Sequence, residues 1–426
     1  MHLLERHTPE YDSRLRRLES RGDEDLARVE PAVREILDAV ASRGDEALRE
    51  YALRFDGAVP SRLSYDRADC DAALARLCDS APDLASVLID AAARIGAFHA
   101  KQRDESFRYF DSDGVSLGWR VRPMARVGVY APGGKARYPS SVLMSAIPAR
   151  VAGVTEVVLA TPRPTDELLA AAALSGVSRV FDVGGAQAIA AMAYGTATVP
   201  RVDKIVGPGN IYVACAKRLV FGRVAIDGIA GPSEILVVAD DAADARVVAA
   251  DLLSQAEHDE LAYPLLVTLS RAQAEAVSAE VKRQLAALPR RAIAEASVRD
   301  HGYAFIAGDL DEAARVATLI AAEHLSLQVR DAEALVRRVG AAGAIFLGDH
   351  TPEAAGDYLA GPSHVLPTGG AVRFSSPLGV YDFTVRSSLI RYDAASLAKH
   401  ADAITRFARA EGLEAHARAV DVRVKG

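Results

Sequence analysis

RVGVYAP (126–132), TEVVLATP (155–162), SRVFDVG (178–184) and VDKIVGPG (202–209) are four short apolar runs, each followed by a helical segment. The helices read as SSVLMSAIPARVAG (140–153), DELLAAAALSG (166–176), AQAIAAMAYG (186–195) and NIYVACAKRLVF (210–221). Apolar runs of this length, separated by helices, predict a parallel sheet covered on both faces. A second series follows Gly231: EILVVAD (234–240), AYPLLVTLS (262–270), YAFIAG (303–308), LSLQVR (325–330) and GAIFLG (343–348), again with helices between. Two α/β halves are therefore expected. They suggest an old duplication, although the residues themselves show no clear repeat.

Outside these series the pattern is helical. The first thirty residues carry apolar residues at helical spacing (Leu15, Leu18, Leu26, Val29), which predicts short helices packed on the rest. Residues 31–118 remain mostly helical, with turn signals near Gly57, Gly114 and Gly118. The segment ASLAKHADAITRFARAEGLEAHARAV (395–420) reads as a terminal helical region bearing His400 and His416. Such a segment is expected to dock on a neighbour.

The chain has 426 residues, which at roughly 150 per domain predicts two to three domains. Half of it is apolar and a quarter charged, so disorder and fibrous classes are excluded. The net charge is −7 without a basic run, which argues against nucleic-acid or anionic-membrane partners. Three cysteines without C-x-x-C spacing exclude a disulfide scaffold or a cysteine zinc knuckle and suit a reducing compartment. The opening MHLLERHTPEYDSR has no apolar core, so no signal peptide is expected, and the uncharged stretch 183–200 is too polar to cross a bilayer. The expectation is a cytoplasmic protein.

Chemistry-bearing residues gather in a few segments. The glycine-rich turns VYAPGGKARYPSS and IVGPGNIYV follow strands, where free amides favour anions. Neither completes a dinucleotide fingerprint or a Walker A loop, since Ala136 follows Gly134-Lys135. The plainer reading is a tight turn. In DLLSQAEHDE, Gln255 and His258 are three apart and face one way on a helix, a spacing that suits two metal ligands or an ordinary solvated helix end. AAEHLSLQV sets Glu323 beside His324 at a helix-to-strand junction, a pairing suited to acid–base work that is also common on surfaces. GDYLAGPSHVLPTGG holds Asp357 and His364 in a loop, and AEGLEAHARAV holds Glu411 and His416 on an amphipathic face. Spacing alone does not show that these residues converge.

The strings VGVYAPGG, GGAQAIAAMAYGT, VDKIVGPGN, GPSEILV, DLLSQAEH, AEHLSLQV, AGDYLAGPSHVLPTGG and AEGLEAH together resemble the histidinol dehydrogenase family over nearly the whole chain. The resemblance implies an α/β fold of two incomplete Rossmann-like domains with parallel sheets, plus small helical N- and C-terminal segments. It implies a helical segment at 1–24, an α/β domain from 25–126 and 233–377 carrying most metal and catalytic residues, a second NAD-contacting domain at 127–232, and a dimerisation tail at 378–426. It places zinc, one per subunit, on Gln255, His258, Asp357 and His416, and the catalytic pair on Glu323 and His324. Substrate would meet Ser233, Gln255, His258, His324, Asp357, His364, Glu411 and His416, and NAD would meet Tyr130, Gln187 and Asn210. All are of the expected residue type.

The implied activity is oxidation of L-histidinol to L-histidine, through L-histidinal, with two NAD molecules, as the last step of histidine biosynthesis. The implied assembly is a homodimer whose tails cross to complete each other's sites. Two other readings stand beside it: a relative on the same frame acting on another small polyol or sulfonated diol, and a lapsed nucleotide-binding regulator. Intact Glu411, His364, Glu323, His324 and four ligand positions weigh against both.

Overall fold

A computed structural model describes residues 1–19, 21, 26–133 and 138–424. The chain forms two units, one of Met1–Gln102 with Ala125–Phe383, the other of Arg103–Met124 with the residues from Thr384 onward. Among the described residues, no helix is long and apolar enough to cross a membrane.

The first unit contains the two expected sheets, each of six strands. One runs in the order Ser64–Tyr65, Arg179–Phe181, Glu156–Ala160, Arg126–Tyr130, Lys204–Val206, Ala225–Ile226, parallel except for its antiparallel first pair. The other runs His2–Glu5, Tyr303–Ile306, Tyr263–Thr268, Glu234–Ala239, His324–Gln328, Ala344–Leu347 and is parallel throughout. Central strands such as Glu234–Ala239 are buried at every position, which is why they read as continuous apolar runs rather than alternating ones.

Both sheets follow the same path. In each the chain first lays an edge strand, moves to a central strand, adds two strands back toward that edge, then crosses to the other side for two more. Each path therefore has a switch point, between Arg126–Tyr130 and Lys204–Val206 in one sheet and between Glu234–Ala239 and His324–Gln328 in the other. This shared path carries the likeness of the two halves that the residues do not.

The packing groups the segments differently from the sequence expectation. Helix Leu26–Arg43 turns Val29, Val33, Ile36, Leu37 and Val40 into one core with Tyr130, Phe181, Ile189 and Val213. Residues 26–100 thus cover the sheet of 126–226, rather than joining 233–377, because that sheet leaves an apolar face open without them. The N-terminal segment is not purely helical either. His2–Glu5 pairs with Tyr303–Ile306, and helix Pro9–Glu19 puts Tyr11 and Leu18 into the core of the second sheet. The tail begins later than expected, since Val380 and Phe383 are buried in the first unit.

The second unit is an antiparallel sheet of Phe107–Phe110, Ser116–Pro123 and Thr384–Arg391, with helices Ala394–Ala410 and Glu414–Val424. Phe107–Phe110 and the start of Ser116–Pro123, like Ser64–Tyr65 of the first unit, thus lie in the region expected to be helical. Gly118 is no turn residue: it sits inside a strand, where a Cβ would run into the Phe107 carbonyl of the neighbouring strand. The terminal helix is broken at Gly412, whose φ of 77° is left-handed.

Arg21 forms a buried pair with Glu234, their side chains 4% and 1% exposed, through two bonds of 2.6 Å each. Removing one partner of such a pair strands a charge in the interior. Arg21→Ala should therefore lower unfolding free energy by about 3–5 kcal/mol in denaturant titrations. A loss no larger than that of an exposed ion pair would contradict this.

Candidate active site

Crossover helices run back along a parallel sheet, so helix Ala245–Ala256 ends at the edge where strands Glu234–Ala239 and His324–Gln328 begin. That return places Gln255, 1% exposed, in the last turn, and His258 just beyond it, its amide bonded to the Gln255 carbonyl at 3.1 Å. His258 is therefore past the helix rather than on it.

Helix Leu310–Ile320 closes on Ala321, a non-glycine residue with φ 49° and ψ 59°, and Glu323 and His324 follow at the same sheet edge. Glu234 and Glu323 are joined reciprocally, each backbone amide donating to the other's Oε2, at 3.0 Å onto Glu323 and 3.2 Å onto Glu234. His324 Nδ1 lies 3.0 Å from the Glu234 carbonyl oxygen. A carbonyl only accepts, so Nδ1 carries the proton and Nε2 is left as the basic nitrogen. That Nε2 is buried without a hydrogen-bond partner among the described residues, 3.8 Å from Glu353 Oε1 and 3.9 Å from Asp357 Oδ1.

Helix Glu353–Tyr358 sets Glu353 and Asp357 one turn apart on one face. Ligand atoms of His258, Glu353 and Asp357 all lie within 4.8 Å of one another, a separation one cation can bridge. The nitrogen and carboxylate donors suit zinc. His364 Nδ1 meets the Asp357 carbonyl oxygen at 3.1 Å, and its Nε2 faces Ser141 Oγ at 3.4 Å, linking the two halves of the unit.

Burial dominates the electrostatics. It drives the Glu323 carboxyl well above the ordinary range, reinforced by the negative charge of Glu234. Burial likewise raises Glu353, with Asp357 and Glu323 adding to the effect. The imidazoles of His324 and His364 are pushed down by burial, which keeps them neutral and able to accept a proton.

The expected residues thus fall in three places. Gln255, His258, Glu323, His324, Asp357 and His364 gather at the amino edge of the second sheet, with Ser233 immediately before its central strand. Glu411 and His416 lie in the second unit, on the wall of a cavity of about 460 Å³ floored by Ile404, Phe407 and Leu413. Tyr130, Gln187 and Asn210 surround the carboxyl edge of the first sheet. There the Gly185 amide donates to Tyr130 Oη at 3.1 Å, Gln187 Oε1 is buried without a partner, and Asn210 caps the next helix. Gly134-Lys135-Ala136-Arg137 of the other glycine-rich turn lie outside the described residues.

The two switch points differ in charge. In the first sheet the strand Arg126–Tyr130 runs into uncharged Ala131-Pro132-Gly133, while at the turn after Lys204–Val206 the Gly207 amide donates to the Asp227 carboxylate at 2.7 Å, a charge paired with buried Lys217, which also reaches the Gly207 carbonyl at 3.0 Å. Gly207 has φ 111° and passes so close to the Tyr130 carbonyl that no Cβ would fit. In the second sheet the matching strand Glu234–Ala239 is followed instead by Asp240, whose carboxylate accepts from the amides of Ala242 and Arg330, both at 2.9 Å. The Gln187 oxygen, unpaired among the described residues, and the uncharged turn at 131–133 make the first switch point the one suited to a dinucleotide.

The family model described as histidinol dehydrogenase matches residues 19–424. The chain belongs to the histidinol dehydrogenase family. It is 51% identical to the histidinol dehydrogenase of Geobacter metallireducens over 434 aligned residues, covering 100% of this chain and 99% of that one. Identity to the histidinol dehydrogenase of Aquifex aeolicus is 50%, covering 97% and 96% of the two chains. The crystal structure of histidinol dehydrogenase from Elizabethkingia anophelis superposes with a TM-score of 0.92 at 34% identity, covering 100% of this chain and 98% of that one. The α/β fold with two parallel sheets is that of the histidinol dehydrogenase family, and the chain is an oxidoreductase of that family.

Sequence reading missed Glu353, Glu234, Arg21 and Ser141. Only Glu353 left a trace, its four-residue spacing from Asp357 in TPEAAGDY.

Asp251 lies one turn before Gln255, 7% exposed, its carboxylate accepting from Gln328 Nε2 at 2.7 Å. Burial raises its pKa to about 6. Its stabilising contribution is present below the unfolded value near 4 and is lost as pH rises through about 6. A displacement of that size corresponds to roughly 3 kcal/mol. Asp251→Asn, which keeps the acceptor, should be the more stable protein at pH 7 and lose that advantage by pH 4. Melting curves at the two pH values check this, and a gap that does not depend on pH would refute it.

Proposed function

We propose that the chain oxidises L-histidinol to L-histidine through L-histidinal, with one zinc per subunit and two NAD molecules used in turn, closing histidine biosynthesis. The observation that carries this reading is the buried, unpartnered Nε2 of His324, its tautomer set by Glu234, beside the His258, Glu353 and Asp357 donors. Gln255, His258 and Asp357 of one subunit would hold zinc with His416 of the partner subunit. Tyr130, Gln187 and Asn210 would hold NAD. When bound, zinc supplies a fixed positive centre for the substrate's nitrogen donors, and NAD supplies the hydride acceptor.

His324 Nε2 takes the hydroxyl proton as the alcohol is oxidised to the aldehyde. Glu323, ionised at that stage, takes a proton from water as the hydrate forms while His324 returns its proton to the aldehyde oxygen, which frees His324 Nε2 to accept the proton of the second oxidation. Ser233, His364 and Glu411 orient the substrate. Enclosing these steps keeps the aldehyde from escaping. The absence of a basic surface run and of a membrane-spanning helix among the described residues fits a cytoplasmic homodimer acting on a small molecule.

Purified protein given limiting L-histidinol and excess NAD should yield two NADH per substrate. NADH formed only from a different alcohol, or none at all, would overturn the reading.

A shared site also predicts subunit complementation. Inactive His416→Ala and His258→Ala variants, refolded together, should recover roughly a quarter of native activity. About half the dimers are then mixed, and each has one complete site of two. Proven mixed dimers without recovered activity would show that His416 serves its own chain.

A further inference from the structure

Glutamine is an unusual zinc ligand. Its amide presents an oxygen and a nitrogen of nearly equal shape, and only the oxygen can bind the metal. In this chain the Gln255 amide lies against the carboxylate of Glu353, a residue 3% exposed. With the nitrogen turned to Glu353, it donates to both carboxylate oxygens, at 3.0 Å to Oε2; the opposite orientation would set oxygen against oxygen. Ser254 Oγ faces the same Glu353 Oε2 at 3.4 Å.

We infer that Glu353 is a positioning residue that fixes the Gln255 amide with its carbonyl oxygen free for zinc. The inference rests on the proposed role of Gln255 as a ligand. An ionised carboxylate accepts only, so in that form Glu353 selects one of the two amide orientations. By drawing on the N–H groups it also shifts electron density onto the carbonyl oxygen and makes a weak neutral donor stronger. Glu353 belongs to the same donor group as His258 and Asp357, so direct ligation by Glu353 is the competing account.

Zinc affinity of the full-length protein, measured by chelator competition without substrate, separates the two. Glu353→Met removes the acceptors at nearly constant length and should weaken zinc binding about 10–100-fold. Gln255→Ala should weaken it at least as much, and adding Glu353→Met to Gln255→Ala should cost nothing further. The exchanged pair, Gln255→Glu with Glu353→Gln, restores donor facing acceptor and keeps the net charge, so its affinity should return to within about tenfold of the native protein.

Unchanged affinity in Glu353→Met overturns the inference. So do additive losses in the double variant, which mean that Glu353 holds the ion itself. If Glu353→Met does not fold, the exchanged pair decides, and a loss of a hundredfold or more in it overturns the inference. Full affinity in Gln255→Ala would instead remove Gln255 from the ligand set.

Discussion

Glu234 is the constraint on which the rest of the site depends. Its carboxylate, inside the protein, is neutralised by Arg21 and accepts from the amides of Glu323 and Gly369. Its own amide binds the Glu323 side chain, and its carbonyl sets the His324 tautomer. One residue at the start of a central strand therefore holds the acid and the base, and also anchors the N-terminal segment and the loop at Gly369. The cost of burying the charge is offset by a guanidinium with two good bonds and by surrounding amides. The same negative charge, next to Glu323, helps keep that carboxyl protonated to higher pH than an exposed acid.

A crossover helix and a short helix after the last strand then bring further donors to this edge. The return of helix Ala245–Ala256 delivers Gln255 and His258, and the short helix Glu353–Tyr358 delivers Glu353 and Asp357. Each contributes side chains from a helix end or a first turn, where the backbone is already committed to packing. Donors held this way are spaced by secondary structure rather than by the metal, which suits a positioning role for the ion.

Much of the fold was legible. The apolar runs 126–132 and 234–240 could be read because strands buried on both faces have no polar alternation to obscure them. The strands Phe107–Phe110 and Ser116–Pro123 were not, since most of their residues are exposed and carry no core signal. The pairing of helices 26–100 with the first sheet was also hidden. An amphipathic stripe such as Val29, Val33, Ile36 and Val40 tells that a helix is covered, not by which sheet. In the site, residue type and resemblance pointed to His324 and Glu323, but the Arg21–Glu234 pair spans 213 residues and has no local sequence signature. Glu353 was passed over for the same reason: its meaning lies in the amide it faces.

The contrast between the uncharged turn at 131–133 and Asp240 at the matching place has a kinetic meaning. Two like frames offer two crevices, and a fixed carboxylate in the second repels a pyrophosphate that the first, whose Asp227 is balanced by Lys217, admits. On the proposed chemistry each subunit then has a single docking station for the hydride carrier. The spent nucleotide must depart and a fresh one arrive between the two oxidations, while the half-oxidised substrate waits. The residence time of that aldehyde, and not only the two chemical barriers, becomes a quantity the protein has to control, and the tethers at the opposite sheet edge are where it would do so.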